Sequence, residues 1–225
     1  RKHNKIVQTG TQSRSSRSGI AQAVAWVKAG NLGKIKVSRG LCYKPRGSIG
    51  KVDGPQPVPS NIDYDLWCGP ALKLPLMRKK LHYDWHWVWN TGNGDLGNQG
   101  IHQMDVARWG IGKDHLPKSV ISFGGRLGYK DDGETPNTEV AFMDYGDVQL
   151  YFETRGLPTK PYKGATVGNV FHGTEGYVVL SKYTGGKAFD LDGKEVATFN
   201  GGGDHHRNFI NAMRSGKHTD LKADI

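Results

Sequence analysis

The chain has 225 residues, 36% of them hydrophobic and 23% charged, with a formal net charge of +10. That length admits one large domain or two small ones, and the composition excludes a disordered chain. No apolar run approaches the roughly 18–20 residues of a membrane-spanning helix.

The positive charge is local. Residues 1–51 hold twelve Lys and Arg and no Asp or Glu, whereas the remainder holds nineteen basic against twenty-one acidic residues. The basic positions are spread over a helix and a strand without clustered aromatics, so nucleic acid is not the expected partner; an acidic protein surface or water is. The 32 glycines, many in pairs or triplets such as Gly201-Gly202-Gly203, call for many turns and few long helices. Cys42 and Cys68 lack C-x-x-C spacing and read as two free thiols. The chain opens on Arg1-Lys2-His3-Asn4, which reads as the middle of a longer polypeptide, in the cytoplasm by default and exported if a signal precedes.

In chain order, residues 5–9 (KIVQT) read as a strand end. Ser16 or Ser18 is placed to cap a helix running to about Lys28, with Ile20, Val24 and Val27 on one face and Gly30 as its stop. Residues 34–43 alternate Ile35, Val37 and Leu41 with basic residues, as in a half-buried strand. Residues 44–75 are rich in Pro and Gly and form an excursion. Residues 81–89 carry four aromatics, and a helix is expected over about 96–109. Beyond Pro117, residues 119–129, 138–146 and 148–156 alternate with period two, the last two joined at Tyr145-Gly146-Asp147. Further strands are expected at 176–182, 188–190 and 196–199, the last pair turning at Asp192-Gly193. A closing helix opens near Asp204, carries Phe209, Ile210 and Met213, and stops near Gly216. The order predicts an α+β fold.

Gly92, Gly94 and Gly97 spell G-x-G-x-x-G. A dinucleotide turn needs a hydrophobic strand before the first glycine and an acidic residue about 20 residues on. Here the preceding run is HYDWHWVWNT and Pro117 stands 20 residues after Gly97, so the pattern is a coincidence. The helix behind it is better suited to chemistry. Asn98 and His102 stand at i, i+4, and Asp105 three residues further. His102 is either a group that takes a proton from a hydroxyl or a structural histidine bonded to Asp105 or a carbonyl. In a strand, Trp85, Trp87 and Trp89 would share one side, as core or as a wall for stacking a sugar. His82 and His86 lack the glutamate of H-E-x-x-H, and no metal is expected.

The run GDLGNQGIHQMDVARW resembles the segment of the glucose–fructose oxidoreductase/inositol dehydrogenase (Gfo/Idh/MocA) family in which a glycine-rich loop leads into a helix bearing Asp-x-x-x-His. VQTGTQSRSS, DYDLWCGPA, TPNTEV, FETRGL, NVFHGTEGYVVLS and NFINAMRSGKHTDL resemble further family segments in the same order. The resemblance implies an enzyme in two parts. An N-terminal Rossmann domain binds NAD or NADP, and a C-terminal domain holds a sugar or cyclitol whose ring carbon exchanges a hydride with the nicotinamide. This chain resembles the second part. Residues 1–30 would be the end of the Rossmann domain, with its last strand, and a linking helix. Residues 31–225 would be the substrate-binding and oligomerisation domain. Its implied fold is a large, open, mostly antiparallel sheet with helices on one face, like the C-terminal domain of dihydrodipicolinate reductase.

The same resemblance puts His102 on the family's catalytic histidine and Asn98 where the family has Asp. An amide can orient a hydroxyl but cannot take its proton. Arg14, Trp85, Trp87, Asp95, Gln99 and Asp105 would line the sugar pocket. The cofactor glycines and a Glu-Lys-Pro segment would precede Arg1, so this chain alone is expected to bind no cofactor and to turn nothing over. Homo-oligomers through the sheet face are expected. Two alternatives remain open: an NAD-dependent glycosidase of the same family, and a carbohydrate-binding or assembly module without catalysis.

Overall fold

The computed structural model describes residues 3–15 and 18–221. Eight strands run in chain order: β1 (Ile35–Cys42), β2 (Ser119–Gly125), β3 (Thr138–Asp144), β4 (Gln149–Arg155), β5 (Val167–Gly173), β6 (Gly176–Lys182), β7 (Gly185–Asp190) and β8 (Glu195–Phe199). They form one sheet in the order β2-β3-β4-β1-β5-β6-β7-β8. Every pairing is antiparallel except one: β1 runs parallel to β4, from Val37 opposite Gln149 to Cys42 opposite Thr154. The first strand is therefore the central one. Ile35 and Val37 are half-buried as expected, but Leu41 and Cys42 are fully buried, because both sheet faces are covered there. Both anticipated hairpins form. Gly146 turns at φ 89° and donates to Asp144 Oδ1, while Gly193 turns at φ 82° and donates to Asp190 O.

Among the described residues five α-helices accompany the sheet: α1 (Ile20–Lys28), α2 (Tyr64–Cys68), α3 (Gly94–Asn98), α4 (Gly100–Gly110) and α5 (His205–Ser215). Along α1, Ile20, Val24 and Val27 pack on Phe171, Val178, Leu180 and Phe199. Gly19 at φ 50°, not Ser18, occupies its N-cap, and the Ser18 hydroxyl donates instead to Gly202 O; Ser16 lies outside the described residues. Helix α4 lies across β1, β4 and β5 on the same sheet face. Ser38 Oγ donates to Ala107 O at 3.0 Å, and Gly40 lets the helix approach, since a Cβ there would stand 2.9 Å from Gln103 Cβ. Residues 5–9 are not a strand, because no described strand lies beside them to complete a ladder. The excursion over 44–75 is coil apart from α2, whose N-cap Asp63 accepts from the N–H groups of Asp65 and Leu66.

On the opposite sheet face, Leu41, Tyr43, Val170 and Val179 are covered by a loop carrying Tyr162 and Ala165. The edge toward β2 stays bare. Phe123 is 85% exposed, with Ile121 and Phe142 also open to solvent. Helix α5 begins at Asp204, which accepts from Arg207 N–H, and ends at Gly216 in the left-handed region. Its buried positions are Asn208 and Ala212; Ile210 and Met213 face outward.

Candidate functional site

The glycine-rich stretch is shaped by contacts within the chain. A Cβ on Gly92 would stand 2.8 Å from the His86 backbone, on Gly94 3.0 Å from Thr135 Oγ1, and on Gly97 1.9 Å from Asn93 Oδ1. Each glycine makes room for a neighbour rather than for a pyrophosphate, and the described residues here do not fit a dinucleotide. The helix expected over 96–109 is divided at Gln99, which joins α3 to α4 between Gly97 and Gly100. Poor helix formers on both sides loosen the ladder there, and His102 N–H donates to Gln99 O one turn earlier.

His102 sits half-buried in the first turn of α4. It is not bonded to Asp105. Its Nδ1 is buried with no hydrogen-bond partner among the described residues. The ring meets Tyr183 edge-on, centroids 5.9 Å apart at 86°. Burial pushes the imidazole below its ordinary range, against the opposing pull of the Asp105 charge. His102 is therefore neutral near pH 7 and able to accept a proton.

Gln99 is buried. Its Nε2 donates to Gln103 Oε1 at 3.0 Å and to Tyr183 Oη at 2.6 Å. Tyr183 and Gln103 carry no local pattern that would have singled them out in the sequence. Asp105 is spent on Arg14, accepting Nε at 3.0 Å and Nη2 at 2.6 Å, while the same guanidinium lies 4.5 Å above the Trp109 ring. These two expected sugar ligands thus satisfy each other beside His102.

Asn98 and Asp95 belong to a second group. Asn98 Nδ2 donates to Asp95 Oδ1 at 3.0 Å, so the amide is held by Asp95. Asp95 is buried and takes both arms of Arg46, at 2.8 and 2.7 Å, and Arg46 Nη1 also donates to Tyr83 Oη at 2.7 Å. A cavity of about 460 Å³ adjoins this group, lined by Arg46, Tyr83, Trp87, Lys79, Lys80 and Asp84. The three tryptophans do not form one wall. Residues 84–87 make a 3-10 turn rather than a strand, which buries Trp87 and leaves Trp85 and Trp89 exposed. Trp85 stacks on His86 at 3.8 Å and lines a separate cavity of about 380 Å³ with Trp67. Both cysteines are free and buried, and burial together with the Asp95 charge pushes the Cys42 thiol up to about 12. No described helix is long and apolar enough to cross a membrane.

No curated relative matches the chain. Solved structures do. An oxidoreductase from Thermotoga maritima superposes with a TM-score of 0.58 at 14% identity, over 97% of this chain and 55% of its own. The WlbA dehydrogenase from Bordetella pertussis, solved with NADH and UDP-GlcNAcA, gives 0.55 at 16% identity, over 96% and 57%. GenD2 from gentamicin A biosynthesis, solved with NAD, gives 0.57 at 13% identity, over 96% and 56%. The chain thus spans just over half the length of these proteins. The family model described as the oxidoreductase family C-terminal alpha/beta domain matches residues 25–178, on the sheet and helices just described. The chain belongs to the Gfo/Idh/MocA oxidoreductase family and carries its C-terminal α/β domain.

Proposed function

We propose that the chain is the substrate-binding half of an NAD(P)-dependent oxidoreductase acting on a hydroxyl of a sugar or cyclitol, with residues 1–30 leading in from the cofactor domain. The observation that carries this is His102: an imidazole in the first turn of α4 that burial keeps neutral, with no hydrogen-bond partner for its buried Nδ1 among the described residues. Such a base can take the proton of a hydroxyl as that carbon is oxidised, and return it in the reverse direction. The glycines at 92, 94 and 97 make room for neighbouring residues, which supports placing the dinucleotide on the family's cofactor domain rather than on this stretch. The family match and the NAD- and sugar-nucleotide-bound neighbours support the class. A second copy of the chain would cover the bare face around Phe123 and Phe142.

The test is His102→Ala and His102→Gln in the polypeptide together with whatever sequence precedes Arg1, assayed for NAD(P) reduction across a panel of sugars and cyclitols. Turnover is expected to fall by roughly 10²–10⁴-fold with the unfolding midpoint little changed. Unaltered turnover in both variants would remove His102 from the chemistry.

A further inference from the structure

Three observations converge on Tyr183, at the two-residue turn between β6 and β7. Its hydroxyl accepts from Gln99 Nε2 at 2.6 Å and donates to no described residue, so its own proton is uncommitted. Its ring packs perpendicular to the His102 imidazole. Asn98, the residue that stands where the family resemblance expects a second acid, is turned away onto Asp95. The tyrosine is also firmly placed. Gln99 is itself held by Gln103, and Ser13 Oγ donates to Tyr183 O at 3.4 Å. Gly19 leaves room for the adjoining turn, where a Cβ would strike Thr184 O at 1.9 Å. Yet the residue is 38% exposed.

Resting on the sugar or cyclitol function proposed above, we infer that Tyr183 is the second polar group of the site: its ring fixes the His102 imidazole, and its free O–H donates a hydrogen bond to the same substrate oxygen. A neutral phenol suits this place. It stabilises negative charge developing on the oxygen while His102 holds the proton, and it adds no charge beside the buried imidazole. The Gln99 bond matters because it uses the phenol as an acceptor and so leaves the O–H proton free to be donated outward.

Two variants separate ring from hydroxyl. In the 225-residue chain, the His102 ring is followed by NMR through a pH titration, a readout independent of turnover. Tyr183→Phe is expected to leave its midpoint in place, because the ring stays. Tyr183→Leu is expected to move the midpoint up toward the ordinary histidine value, because the covering ring is lost. An unmoved midpoint in Tyr183→Leu overturns the pairing whatever the activity. In the cofactor-bearing polypeptide, Tyr183→Phe is expected to lower kcat by roughly 10–10³-fold with KM within about threefold. Full kcat in Tyr183→Phe beside an inactive His102→Ala overturns the donor role alone. Full activity in His102→Ala as well overturns the proposed function.

Discussion

Asp95 offers the sharpest quantitative test, because a sugar ligand and a structural anchor predict opposite behaviour. Its carboxylate is fully buried and takes two hydrogen bonds from a guanidinium whose side chain is only 11% exposed. Asp95→Ala leaves the Arg46 charge buried with the Tyr83 hydroxyl as its remaining side-chain hydrogen-bond partner among the described residues, over the rings of Tyr83 and Trp87. Breaking one side of such a pair costs about 3–5 kcal/mol. For a chain of this size each kcal/mol moves the midpoint about 2–4 °C, so Tm should fall by roughly 6–20 °C. The assay is urea and thermal unfolding of the wild type, Asp95→Ala and the double variant Asp95→Leu/Arg46→Met. The double variant removes both charges and should recover most of the loss. If Asp95→Ala stays within about 0.5 kcal/mol of wild type with an unchanged urea slope, the buried pair is not an anchor and the carboxylate is free for a ligand.

Asp131 gives a pH-dependent counterpart. Burial pushes its carboxyl up, but the Arg126 hydrogen bond, the Ile49 N–H and the Arg126 charge overcome this and bring it down to about 2. A depressed acid stabilises the fold above its unfolded value of 3.8, and the gain is lost as pH falls through about 2. Asp131→Asn should therefore cost about 2 kcal/mol at pH 7 and nearly nothing at the acid end; a cost independent of pH in chemical unfolding would refute the assignment. At the bare sheet edge, Phe123→Lys should shift the chain toward monomer in sedimentation equilibrium, and a wild-type chain that is monomeric throughout would remove the proposed interface.

Locally encoded features were legible in the sequence. The turns at Gly146 and Gly193, the stripe of Ile20, Val24 and Val27, and the Asp204 and Gly216 ends of α5 all depend on residues within a few positions of one another. Strand β5 was not anticipated, because Gly168, Asn169 and His172 interrupt its pattern; it is a strand because β1 and β6 pair on either side. The tryptophan segment misled for the converse reason. Its alternation suits a strand, but no described strand lies beside it, and the chain coils into a 3-10 turn instead. At the site, His102 was visible as a residue type at a helix start. Its setting was not, since Gln99 and Tyr183 meet across 84 positions of sequence. Likewise Arg14 and Asp105 each looked like a sugar ligand, and only their separation of 91 positions hid that they pair with each other.

The lone parallel pairing in the sheet carries a consequence for how the molecule is made. Between the end of β1 at Cys42 and its partner strand β4, starting at Gln149, the chain must run through α2, α3, α4, β2 and β3. A parallel neighbour cannot be reached by a tight turn. The central strand therefore has no neighbour at all until β4 is made, because its other partner, β5, comes later still; closing so long a loop is entropically costly before any contact rewards it. Helix α4, with His102 on it, lies inside that loop and packs on strands from both ends of it. During synthesis His102 would thus be translated early and seated late, with both edges of β1 bare in the interval. Slow, single-phase acquisition of the His102 environment is the kinetic signature of such an arrangement.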